Sequence, residues 1–198
     1  MQTLGLASES KRSDGWLKSL LWPRVENAWD VDYLGQQGMW ICTLVALGSL
    51  AMSFVTLNVL VIALGILGAL FYLIGGMGVR QANWPAAALV FAVYVLGALV
   101  QIASGQVPNI FRILFTFVLL SNLRAAFLAS QWKPIAEGED RPTRFSETLA
   151  DKFIDQMPAR MWPIMQIPFI VLAITLLLFS LLFLGFAIAS RLGLFPHH

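Results

Sequence analysis

From Tyr33 to Val79 the chain carries no charged residue, and Met39 to Gly76 is almost wholly apolar. As one helix that stretch would run about 55 Å at ~1.5 Å per residue, against a hydrocarbon core of about 30 Å. It must therefore fold back on itself inside a membrane. The polar groups of Thr56-Leu57-Asn58 mark the reversal and give spans 39–56 and 58–76. Composition agrees. The 198 residues are 58% hydrophobic and 12% charged, where soluble domains carry about 25% charge. So much apolar surface is driven into lipid.

The rest of the chain divides in the same way. Gly75-Gly76-Met77-Gly78 reads as the end of the second span, because glycine supports chain reversal. Asn83-Trp84-Pro85 opens a third span, 84–102, with proline tolerated in the first helical turn. Ser104-Gly105-Gln106 turns the chain, and a fourth span follows at 109–129. A polar segment, 130–162, precedes a fifth apolar helix at 163–191. The expected fold is all-α: a polytopic integral membrane protein with five transmembrane helices and one or two amphipathic interfacial helices. Spans one to four form a four-helix membrane region, 39–129, between an N-terminal segment, 1–38, and the later elements.

Two segments have helical apolar spacing but are too polar to span. In 143–157, Phe145, Leu149, Phe153, Ile154 and Met157 recur on one side, and Pro158 ends the pattern. A shorter version occupies 14–22. Both are expected at the membrane surface. The first 37 residues are polar or mixed, so the first apolar run begins too late for a standard signal peptide.

Basic residues orient the spans. Of thirteen, Lys11, Arg12, Lys18, Arg24, Arg80, Arg124, Lys133, Arg141, Arg144, Lys152 and Arg160 fall on one side. Arg112 and Arg191 alone fall on the other. The positive-inside rule puts the N-terminus in the cytoplasm and the tail 192–198 outside. Trp40, Trp84, Trp132 and Trp162 all sit at the cytoplasmic ends of spans, where indole anchors in the headgroup layer.

Few residues offer chemistry. Both histidines are at positions 197 and 198, in a terminal tail. Cys42 is the sole cysteine, so it has no disulfide partner within the chain and no set of metal ligands. All eleven carboxylates lie outside the expected spans, which weighs against a proton-coupled transporter. Glu137, Glu139 and Asp140 cluster around Gly138 and read as a solvated turn. No phosphate-binding glycine loop or dinucleotide fingerprint occurs. No catalytic residue, cofactor or metal is expected. The net charge of +2 gives no footing for nucleic acid.

The fourth span departs from an inert membrane helix. Asn109, Arg112, Thr116 and Arg124 fall within about a third of its circumference. Both arginines lie near span ends and can snorkel outward. Arg112 is expected to meet backbone carbonyls, Gln101, Gln106 or phosphate oxygens, and Arg124 the cytoplasmic headgroups. Helix contacts are expected at the small pairs Gly65/Ala69 and Ala88/Ala92. Two functions fit this pattern. The first is a non-catalytic accessory or scaffold subunit of a cytoplasmic membrane, acting through helix packing and contacts with lipids, anionic ones included. Its protein partners would be further copies or other membrane proteins. The second is a small channel or carrier for an anionic or neutral solute, lined by the polar face of the fourth span.

Overall fold

A computed structural model describes residues 22–26, 28–132 and 156–193. The acidic cluster, the two histidines and most of both expected amphipathic helices lie outside these residues. Among the described residues the chain is all-helical. Five helices follow in order: α1 Ala28–Val55, α2 Val59–Arg80, α3 Trp84–Ala103, α4 Ile110–Ser130 and α5 Met157–Arg191. All five contain a segment long and apolar enough to cross a membrane.

Local chemistry sets the helix starts. Asn58 caps α2, its side-chain oxygen accepting from the Leu60 and Val61 amides at 2.9 and 3.3 Å. Asn83 caps α3 by accepting from Ala86 N at 3.0 Å, and Pro85 follows in the first turn. Such caps satisfy amides that have no partner within the helix. The tight connections place Leu57 and Ala82 in the left-handed region, at φ +50° and +51°.

Three helices outrun their expected spans, α2 by running on past Gly76 to Arg80. α1 begins eleven residues before position 39, carrying Asp30 and Asp32 in its first two turns. The reason is tertiary: Asp32 pairs with Arg80 at the end of α2. α5 begins at Met157, and Pro158 lies in its first turn rather than acting as a stop. At ~1.5 Å per residue α5 is about 50 Å long, well beyond the hydrocarbon core.

α1 to α4 close into a ring, each touching the next and α4 returning to α1. α5 docks outside this ring against α2 and α3. The glycines expected to end α2 lie inside it, and they let three helices approach. A Cβ on Gly76 would stand 3.0 Å from Cys42 of α1. On Gly75 it would meet Val90 and Phe169 at 2.5 and 2.8 Å, and on Gly78 both Ala86 and Trp162 at 2.6 Å. Helix association in lipid draws on such close dispersion contacts, because hydrocarbon tails are as apolar as leucine. Of the small pairs, Gly65 lies against Ser53 of α1 and Ala69 is buried. Ala88 and Ala92 are only half-buried. The sealed face of α3 is instead Ala86, Ala87, Val90, Val93 and Tyr94.

An aromatic series runs from α5 across α2 to α3. Trp162 meets Phe169 edge-on at 5.5 Å, and Phe169 stacks on Phe71 at 5.1 Å. Phe71 abuts Tyr72 at 5.1 Å, and Tyr72 meets Tyr94 at 6.3 Å. These rings join α5, α2 and α3.

Candidate functional site

The four polar residues of the fourth span do not form one surface. Asn109 is the N-cap of α4: its side-chain oxygen accepts from Arg112 N at 2.8 Å. Thr116 donates its hydroxyl to the Arg112 carbonyl at 2.8 Å, a bond within its own helix. Both side chains thus spend a hydrogen bond on α4 itself. Arg124 lies at the other end of α4. It donates to the Pro23 carbonyl at 3.0 Å, and its guanidinium stands 4.8 Å from the Trp22 ring centre. It holds the chain that precedes α1.

Arg112 is the residue that matters most. A first-turn arginine can snorkel outward, yet this one turns inward. α3 and α4 are joined by the turn 104–109 and run antiparallel, so position 112 lies level with the last turn of α3. Gly97 and Tyr94 lie about 6–10 Å deeper at ~1.5 Å per residue. The Arg112 Nη2 sits 2.7 Å from where a Cβ on Gly97 would be. Its guanidinium carbon is 5.3 Å from the Tyr94 ring centre, within cation–π range. The missing side chain at Gly97 makes room for the guanidinium, and the Tyr94 ring offsets part of its desolvation.

That offset is partial. Arg112 Nε is enclosed with no hydrogen-bond partner among the described residues, and so is Gln101 Oε1. Gln101, an expected partner, therefore does not accept from Arg112 through Oε1. Tyr94, Gly97 and Gln101 recur at i, i+3 and i+7 on one face of α3, the face turned to Arg112. The arrangement seats a cation between α3 and α4. Arg191 approaches the same end of the bundle, its Nη2 3.1 Å from a Cβ position on Gly105 in the α3–α4 turn. Sequence reasoning missed Gly97 and Tyr94. The available signal was a glycine four residues before Gln101, inside an otherwise well-filled span.

The opposite end is a structural junction. Arg80, 7% exposed, pairs with Asp32. Gly38 lets α1 approach both Val79 and Asn122, and Asn122 donates to the Val118 carbonyl at 3.0 Å. Trp40, Trp84 and Trp132 remain outward-facing, at 46%, 44% and 40% exposure. Trp162 does not: at 6% exposure it is wedged between Gly78 and Phe169. It is a packing residue rather than an outward anchor, because Gly78 leaves a gap that an indole fills. An uncharged open groove of about 440 Å³ lies between α1 and α4, lined by Tyr33, Gln36, Gln37, Trp40, Leu114 and Phe115 among others.

Comparison with protein-family models, curated proteins and solved structures gave no match.

Proposed function

We propose that this multi-pass membrane protein is a non-catalytic accessory or scaffold subunit of a cytoplasmic membrane, with its N-terminus in the cytoplasm. The orientation is supported by the grouping of Arg24, Arg80, Arg124 and Arg160 at one end of the bundle. The observation that carries the role is the contrast between a filled interior and a long unshared flank. Buried side chains from all four helices of the ring, among them Cys42, Tyr72, Val90 and Val118, fill the interior through which a solute path in a single copy would have to run. α5, by contrast, buries only Pro158, Trp162, Phe169 and Ala173. Ile164, Ile167, Val171, Leu178 and Leu182 face outward along it. A helix of this length on the rim of a ring offers a side for another membrane protein or a second copy.

A photo-crosslinking residue at Ile167, Leu178 or Leu182 in native membranes tests this. The proposal expects a discrete protein adduct from at least one position. Lipid adducts alone at all three would refute it. The carrier reading draws on one observation, the inward Arg112. It requires solute flux in proteoliposomes that Arg112→Gln abolishes.

A further inference from the structure

Arg112 lies where a cation is costly, and its surroundings leave it partly unsatisfied. The only carboxylates among the described residues are Glu26, Asp30 and Asp32. Glu26 lies just before α1 and the other two in its first two turns, at the opposite end of the bundle. At the Arg112 end stand two guanidinium groups, Arg112 against Gly97 and Arg191 beside the Gly105 turn. The N-terminus of α4 adds the positive end of its dipole to the same place. In a low-dielectric surrounding this field strongly favours an anion.

We propose that the α3–α4 junction binds a phosphate group, with Arg112 holding it from between the helices and Arg191 from beside the turn. The planar guanidinium matches phosphate oxygens in pairs and keeps its charge whatever its environment. Arg112 Nε supplies an enclosed donor that no described residue uses. Gln101 Oε1, an enclosed acceptor on the facing helix, favours a ligand with a hydroxyl beside its phosphate. Gly97 is the positioning residue: its bare backbone seats Nη2 at this depth. A lipid phosphodiester and a soluble phosphate share this chemistry. The inference deepens the lipid-contact part of the proposed role and rests on it only for the lipid source.

The test uses the full chain in nanodiscs of phosphatidylcholine with phosphatidylglycerol, extracted into mild detergent for native mass spectrometry. The wild type should retain one phosphatidylglycerol. Arg112→Gln should weaken retention about tenfold or more, as loss of a charge-assisted pair implies. Gly97→Ala keeps every charge but displaces Nη2, and should weaken retention several-fold. Arg160→Gln, an exposed cation at the other end, should leave it unchanged. Inorganic phosphate is then titrated in. Displacement of the lipid identifies a site for soluble phosphate, and failure to displace it identifies a lipid site. Equal retention by wild type and Arg112→Gln overturns the proposal, as does a wild type that holds neither lipid nor phosphate. Loss of the α5 crosslinks with phosphate binding intact would sink the accessory role alone.

Discussion

Replacing Gly78 with alanine tests the close packing of α2 against α3 and α5. The new Cβ would stand 2.6 Å from the Ala86 Cβ, and 2.6 and 2.7 Å from two atoms of the Trp162 ring. Carbon atoms prefer about 3.5–4.0 Å, so each overlap is about 1 Å. Ala86 has no side-chain torsion by which to escape and moves only with the α3 backbone. Trp162 is held from behind by Phe169. α2 must therefore separate from α3 and α5 together. Overpacking of a filled core costs about 1–3 kcal/mol, and two rigid neighbours place this site near the upper end. Gly68→Ala is the control, because a Cβ there meets no heavy atom within 4 Å. Removing a glycine from a helix interior favours it by about 0.5–1 kcal/mol. Unfolding in mixed micelles, followed by tryptophan fluorescence, should separate the two variants by about 3 kcal/mol. Equal shifts for Gly78→Ala and Gly68→Ala would refute the close-packing argument.

Other substitutions probe single interactions by the same assay. Ser121 is fully buried and its hydroxyl has no partner among the described residues, so Ser121→Ala should stabilise by about 1 kcal/mol. A loss of 1 kcal/mol or more would mean the hydroxyl has a partner after all. Asp32→Asn weakens the ion pair with Arg80 and should cost about 1–2 kcal/mol, less than a fully buried pair because the Asp32 side chain keeps 32% exposure. No change would show that Asp32 does not help fix the start of α1. Ala82→Gly relieves a left-handed backbone and should add about 1 kcal/mol, unless the turn can relax without it.

The spans were legible because their signals are local. The break at Thr56-Leu57-Asn58 became the α1–α2 turn, with Asn58 as the cap. Pro85 entered the first turn of α3, as a residue without an amide hydrogen can. Errors arose where one residue type serves two purposes. Glycine both ends helices and admits neighbouring ones. Gly75, Gly76 and Gly78 do the second, which depends on Cys42, Val90, Phe169 and Trp162 arriving from other helices. The early start of α1 depends likewise on Arg80, far along the chain.

The candidate site was legible as residues but not as a surface. Helical periodicity placed Asn109, Arg112, Thr116 and Arg124 on one face, yet periodicity is silent about where a long side chain turns. Asn109 and Thr116 satisfy α4 itself. The two arginines diverge, Arg124 to Pro23 and Arg112 to Gly97 and Tyr94. The gap at Gly97 and the Tyr94 ring together give a residue free to snorkel a place to point inward.

Five membrane-crossing helices predict a topology with the termini on opposite sides of the membrane. It is tested by single cysteines in a Cys42→Ala background, labelled in intact cells with an impermeant thiol reagent. Cysteines at Thr56 and Gln106, in the α1–α2 and α3–α4 turns, should be labelled from outside. Those at Ala82 and Gln131, at the other end of the bundle, should react only after the membrane is opened. Labelling of Thr56 and Ala82 from the same side would contradict the account.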